Sequence, residues 1–319
     1  MAPRTDFPAV RACLFDMDGL LLDTEDLYTL CINLILEKYG KTSLPWSIKA
    51  RLQGRPGPEA NALFHDWAKL PIPQSEYLTQ LTALQREHFP TTKPLPGVEK
   101  LLGDLGRTRW WDSNKSGAKD EERRVTEGKR AQRVHIALAT SSNSGNFSIK
   151  TSNWTQLFSV FESHRRVLGD DKRIEPGRGK PLPDIYLLAL KTINDSLGKG
   201  EKLITPEECL VFEDSVPGVE AGRRAGMRVV WCPHPMLKKE YEGRESEILA
   251  GRMGEAGEVD PHQLGAIDDG WADYYTDLTS FPYSKYGIVI PPAEVELDAS
   301  MQANTADGLD IQGLESAEA

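Results

Sequence analysis

Cysteine is scarce in this chain. Four of them (Cys13, Cys31, Cys209 and Cys232) are scattered over 319 residues, too few and too far apart for a disulfide framework. Three lie in or beside short apolar runs, which reads as buried free thiols in a reducing compartment. A cationic excess is also lacking: 38 Lys and Arg face 48 Asp and Glu, for a formal charge of −10. That balance argues against sequence-independent nucleic-acid binding and against docking on an anionic membrane surface. No run approaches the roughly 18 apolar residues of a membrane span, and residues 1–11 hold no apolar core of signal-peptide length. The six histidines show no metal-ligand spacing among themselves or with the cysteines. The expectation is a cytoplasmic globular protein of one large or two modest domains.

What the chain does have is concentrated after its first apolar run. Ala12-Cys13-Leu14-Phe15 is too short for a helix and reads as a buried strand of a parallel sheet. It ends in Asp16-Met17-Asp18-Gly19, two carboxylates one residue apart and then a glycine. In open parallel sheets, ligands sit beyond the carboxyl ends of the strands. Two carboxylates so close repel one another, and a divalent cation relieves that cost. An Asp-Gly turn at a strand end is the ordinary alternative, so the rest of the chain has to decide.

From Asp23 to Leu95 the pattern is helical, with apolar residues at Leu27, Leu30, Cys31, Leu34 and Ile35 and a stop at Gly40. This segment, residues 23–95, reads as a small all-helical insertion after the first strand. Its break at Gln53-Gly54-Arg55-Pro56-Gly57 is a flexible turn carrying a cation, and Gly54 and Arg55 are its candidate substrate contacts. Residues 1–22 and 96–291 are expected to form the main, sheet-bearing domain. Within that domain, a stretch at 106–133 dense in charge, with Trp110 and Trp111 among it, reads as a disordered insertion or a docking patch for a protein partner. Residues 292–319 hold seven acidic residues and no Lys or Arg, and read as a disordered tail.

Further strands are expected at Val134–Ala139, Arg166–Leu168, Cys209–Phe212 and Arg228–Cys232, with a last short one near Ala272–Tyr275. Helices fall between them, one opened by Pro183 and one capped by Ser215. Residues 238–270 are polar and Gly-rich and read as a loop. This alternation predicts an α/β fold, a Rossmann-like parallel sheet with helices on both faces.

Thr140, Ser141 and Asn143 follow the second strand, Lys180 precedes a helix, and Glu213 and Asp214 follow the fourth strand. Singly these are helix caps, a solvated lysine and a turn; together they sit on one edge of a parallel sheet. Such a set suits phosphoryl transfer through a carboxylate. Asp16 would attack phosphorus, while Asp18 would protonate the leaving alcohol and later activate water. Mg2+ would sit on Asp16, Asp214 and the Asp18 carbonyl, with Glu213 orienting Asp214 or joining through water. Thr140, with Ser141 and Asn143 beside it, would meet the phosphate, and Lys180 would offset its charge.

Phe15-Asp16-Met17-Asp18-Gly19, Ala139-Thr140-Ser141-Ser142, Gly179-Lys180-Pro181-Leu182-Pro183-Asp184 and Val211-Phe212-Glu213-Asp214-Ser215 resemble the four ordered motifs of the haloacid dehalogenase-like hydrolase superfamily. The likeness spans about residues 10 to 235. It is strongest to the helical-cap branch holding the pseudouridine 5'-phosphatases and related sugar and nucleotide phosphatases. The resemblance implies a Rossmann-like core, a cap closing over the substrate, and the roles given above to Asp16, Asp18, Thr140, Lys180 and Asp214. A dehalogenase lacks the second aspartate, so Asp18 implies a phosphatase for a small phosphate ester. A phosphomutase with the same residues and a regulator that retained the fold are the alternatives.

Overall fold

The computed structural model describes residues 2–110, 125–126, 129–130, 132–253 and 265–291. Six strands form one sheet: β1 (Ala12–Phe15), β4 (His135–Ala139), β5 (Arg166–Val167), β6 (Cys209–Glu213), β7 (Arg228–Trp231) and β8 (Ala272–Tyr274). Their order across the sheet is β5-β4-β1-β6-β7-β8 and every pairing is parallel. A separate two-stranded ladder pairs β2 (Val125–Thr126) with β3 (Lys129–Arg130), antiparallel.

Successive strand residues point to opposite faces, and both faces are buried. Cys13, Phe15, Leu138, Phe212 and Val230 enter one apolar cluster, which α5 (Val98–Arg107) covers through Val98, Leu101, Leu102 and Leu105. Leu14, Ala137, Val211, Val229 and Trp231 enter the other. There α8 (Asp184–Asn194) contributes Ile185, Ala189 and Ile193, and α9 (Val216–Arg224) contributes Val216 and Val219. Two shorter helices, α6 (Ser144–Lys150) and α7 (Thr155–Phe158), follow β4.

Between β1 and α5 run α1 (Thr24–Lys38), α2 (Trp46–Leu52), α3 (Gly57–Ala68) and α4 (Gln74–His88). They hold a third apolar cluster of their own, with Cys31, Ile35, Leu36, Phe64, Tyr77 and Leu81 buried in it. Their contact with the sheet layer includes the Trp46 ring stacked on His234, centroids 4.8 Å apart.

Three expectations need correction. The stretch from 238 to 270 is not all loop: α10 (Pro235–Glu240) runs into it and α11 (Glu245–Leu249) lies within it. Each buries one apolar side chain, Leu237 and Ile248 respectively, and a single apolar residue leaves no period to read. The charged stretch from 106 does not begin as disorder, because α5 continues to Arg107 and a 3₁₀ turn follows to Trp110. Thr108 closes this end: its hydroxyl donates to the Leu105 carbonyl (2.7 Å) and accepts from the Val134 amide (3.0 Å). The third strand stops at Val167, one residue earlier than its apolar run. Most of the remaining 106–133 expectation, and all of that for 292–319, lies outside the described residues. Among the described residues no helix is long and apolar enough to cross a membrane, and all four cysteines are free.

Candidate active site

β1 lies between β4 and β6, so the residues that follow these three strands meet at one edge of the sheet. Asp16 and Asp18 arrive from β1, Thr140 to Ser142 from β4, and Glu213 and Asp214 from β6. Lys180 reaches the same point from the loop before α8. Its ammonium, fully buried, donates to an Asp16 carboxylate oxygen and pairs with Glu213 Oε1 at 2.6 Å.

Glu213 is already well occupied. Oε1 also accepts from the Tyr186 hydroxyl, while Oε2 accepts from the Asp214 amide (3.1 Å), the Ser215 amide (3.2 Å) and the Ser215 hydroxyl (3.0 Å). It fixes the turn that presents Asp214, and Asp16 and Asp214 keep freer oxygens.

Carboxylate oxygens of Asp16, Glu213 and Asp214 all lie within 4.8 Å of one another. Three carboxylates against one ammonium leave two negative charges uncompensated in a buried site. The consequence is visible in their proton affinity. Burial, with Glu213 and Asp18 adding to it and Lys180 opposing, pushes the Asp16 carboxyl up to about 7. Burial with the charges of Glu213 and Asp16 pushes Asp214 well above the usual carboxylate range. Hard oxygen donors in this number, crowded and short of positive charge, fit a divalent cation. A buried polar atom is also orphaned here: Gln53 donates through Nε2 to Asp214, and its Oε1 has no partner. Gly19 makes the crowding possible. It adopts φ +77°, and a Cβ there would fall on the Asp214 carboxylate.

The Asp18 side chain stands apart from that cluster. Its Oδ2 accepts from the Ser142 hydroxyl at 2.6 Å and its Oδ1 from Lys150 at 2.5 Å. Burial alone would raise this carboxyl, but the Lys150 charge and the hydrogen bonds from Lys150 and Ser142 outweigh it and hold it below the ordinary range. Lys150 is itself completely buried. It also donates to the Tyr28 hydroxyl (2.7 Å) and the Ser142 hydroxyl (2.8 Å), and it lies 4.5 Å from the Tyr28 ring centroid. Sequence reasoning missed Lys150, Tyr28, Tyr186 and Gln53. The last residue of a short helix ordinarily reads as a solvated lysine, and only the tertiary contacts show otherwise.

Thr140 is buried, and its hydroxyl oxygen accepts from the Ser142 amide (3.1 Å), which leaves its own proton to donate. The Ser141 hydroxyl donates to the Gly54 carbonyl at 3.0 Å. Asn143 is exposed and caps α6, accepting from the Asn146 amide at 2.9 Å. Arg55 donates through Nε to the Arg51 carbonyl at 2.7 Å. The turns after β1 and β4 and the α2–α3 turn border one cavity of about 580 Å³, whose wall includes Asp16, Asp18, Arg55, Thr140, Ser141 and Asn143.

A parallel α/β sheet with a buried aspartate, lysine and acidic cluster at its carboxyl edge defines a class of hydrolase, and sequence comparison specifies which. Residues 10–226 match the haloacid dehalogenase-like hydrolase family, and the chain belongs to it. A Saccharomyces cerevisiae protein named a probable pseudouridine-5'-phosphatase is 43% identical over 244 residues, 76% of this chain and 91% of that one. The mitochondrial (DL)-glycerol-3-phosphatase 1 of Arabidopsis thaliana is 33% identical over 247 residues, 77% of this chain and 71% of its own length. The fold is shared with CbbY from Rhodobacter sphaeroides, crystallised with phosphate, at a TM-score of 0.51 and 23% identity over 70% of this chain and 87% of that one. The protein is accordingly a phosphatase of this family, a class that acts on small phosphate esters.

Proposed function

We propose that the protein is a Mg2+-dependent phosphatase that hydrolyses a nucleotide or sugar phosphate through an aspartyl phosphate on Asp16. The observation that carries this reading is the separation of two carboxylates one residue apart. Asp16 lies against Lys180 beside the acidic cluster, and Asp18 is held by Ser142 and Lys150 outside it.

In the first step an Asp16 oxygen bonds to phosphorus and the ester P–O bond breaks; Asp18, which Lys150 and Ser142 hold as a carboxylate in the free enzyme, must take up a proton as substrate binds in order to give it to the departing alkoxide. In the second, Asp18 takes a proton from water as that water's oxygen bonds to phosphorus, and the Asp16–phosphorus bond breaks to release phosphate. Lys180 stays on Asp16 and offsets the charge that gathers there. The Thr140 hydroxyl and Ser141 meet the phosphoryl oxygens. Asp16, Asp214 and the Asp18 carbonyl would hold Mg2+, with Glu213 orienting Asp214; the ion would mask the repulsion between carboxylate and phosphate.

Residues 23–95 serve as a cap, and the α2–α3 turn brings Gly54 and Arg55 to the substrate. The cavity volume of about 580 Å³ lies in the range that encloses a drug-sized ligand. Its far wall carries Ile32, Leu44, Phe64 and Leu81. Apolar surface of that extent suits a ring-bearing ester better than a three-carbon alcohol. With the 43% identical yeast relative, this makes pseudouridine 5'-phosphate the first nucleotide to try.

The test is phosphate release from pseudouridine 5'-phosphate, uridine 5'-phosphate, sugar phosphates and glycerol 3-phosphate, with Mg2+ or EDTA. A Mg2+-dependent preference for one nucleotide, lost in a folded Asp16→Asn protein, is expected. Turnover of Asp16→Asn near the wild-type rate would remove Asp16 from the nucleophile's place. Activity that needs a bisphosphate activator would make the enzyme a mutase.

A further inference from the structure

The sheet has a second cavity, at the edge opposite the carboxylates. β7 starts there with Arg228, and at its other end Trp231 donates through Nε1 to the Asp214 carbonyl (2.9 Å). The cavity measures about 610 Å³, and its wall includes Arg4, Phe7, Arg228, Asp273, Lys285 and Tyr286. Among the described residues three cations and one carboxylate line it, in a chain whose net charge is −10.

Arg228 is the unusual member. Its residue is 5% exposed, yet no carboxylate among the described residues lies within ion-pair distance of it. Nη2 donates to the Pro8 carbonyl at 2.7 Å, and Nε has no acceptor. The guanidinium is flanked by the Phe7 ring at 5.0 Å and the Tyr286 ring at 5.9 Å. Among the described residues the one acid on the cavity wall, Asp273, is engaged within the wall itself: it accepts from Lys285 (2.6 Å) and from the Tyr286 hydroxyl (2.7 Å), which leaves Arg228 without a counter-charge at ion-pair distance. Arg4 is turned in part to Asp6 (3.0 Å) and Glu207 (3.3 Å). Proteins pair the charges they bury, because removing an ion from water is expensive. A guanidinium, with five N–H donors in a planar fork, is the side chain best matched to phosphate or carboxylate oxygens.

We propose that this cavity is a second ligand site, separate from the phosphatase centre, for a small oxyanion-bearing molecule. Its phosphate or carboxylate group meets Arg228, with Lys285, paired to Asp273, offering its remaining N–H donors from the rim, and its apolar part rests on Phe7 and Tyr286. Neither Arg228 nor Lys285 takes part in phosphoryl transfer, so the site can be removed without touching catalysis.

The experiment is calorimetric titration of the full chain with inorganic phosphate and, separately, with citrate, repeated on Arg228→Met and Lys285→Met. In the wild type, phosphate is expected to fill two sites, of which one competes with substrate and one does not. Arg228→Met should weaken the non-competing site at least tenfold and remove the rise in Tm that its occupancy gives, with kcat and KM unchanged. Lys285→Met should weaken the same site by a smaller factor, and it decides the matter should Arg228→Met not fold. Citrate binding at that site identifies a carboxylate ligand; phosphate binding without citrate identifies a phosphoryl one. Competing phosphate alone in the wild type, with no citrate binding, would overturn the proposal. So would unchanged binding of both anions in both variants.

Discussion

Lys150 shows how much a single side chain can organise. One buried ammonium meets Asp18, Ser142 and Tyr28, and so ties the β1 turn, the β4 turn and α1 together at one point. A hydrogen bond to a charged group contributes about 1.5–3 kcal/mol, so Lys150→Met should lower kcat by about 10- to 100-fold. KM should move little, because Lys150 holds Asp18 and not the phosphate, and Lys150→Arg should recover part of the loss. Steady-state kinetics on both variants checks this; a Lys150→Met enzyme as fast as the wild type would reduce the contact to packing. The candidate site was legible at this scale only in part. Asp16, Thr140, Lys180 and Asp214 could be named because each stands at a strand end or loop start with a chemistry-bearing group. The residues that hold them, Lys150, Tyr186 and Gln53, carry no such positional signal. What marks them is a partner more than 25 residues distant in sequence.

Among the elements, the α2–α3 turn is the one on which the cavity depends. Gly54 has φ +76°, its carbonyl accepts from Ser141, and a Cβ there would fall on the Ser215 side chain. Only glycine fits both the conformation and the close approach. Gly54→Val should therefore lift the turn off the β4 and β6 loops, with a fall in kcat/KM of about tenfold or more and a small change in Tm, since the α1–α4 cluster is packed elsewhere. Equal activity with any substrate would show that the turn need not close. The strands were legible because buried parallel strands are short continuous apolar runs bounded by polar turns. The elements α10 and α11 were not, since each is short, polar and anchored by one side chain, Leu237 or Ile248. The disorder expected from residue 106 does not hold at its start for a related reason. A polar helix end such as Gly106-Arg107 resembles a loop until the Thr108 contacts that close it are seen.

For the whole molecule, the acidic cluster predicts a stability that a divalent cation would raise. Asp16 holds its proton up to about 7, above the ordinary carboxylate value near 4. A raised pKa means that the metal-free fold binds more protons than the unfolded chain between those limits, so this group's contribution falls as pH rises through them. Mg2+, the cation proposed for this cluster, would compete with that proton. Its addition should raise Tm more at pH 8 than at pH 5.5, and at 100-fold its Kd the gain is about 2.7 kcal/mol. Thermal melts with Mg2+ and EDTA at the two pH values check the sign. Asp214→Asn should abolish the shift, and an equal shift in that variant would move the cation elsewhere.

The placement of β1 at the centre of the sheet has a consequence for the birth of the chain. Its two neighbours are β4, which starts at His135, and β6, which starts at Cys209. A strand finished by Phe15 thus waits for about 200 further residues before its second edge is covered, roughly 10–40 s at ordinary rates of synthesis. Throughout that interval the nascent chain presents Ala12-Cys13-Leu14-Phe15 uncovered on one side, while α1 to α4 can already gather their own apolar cluster. The active site therefore cannot assemble before Asp214 has left the ribosome, and chaperone demand should centre on the first fifteen residues.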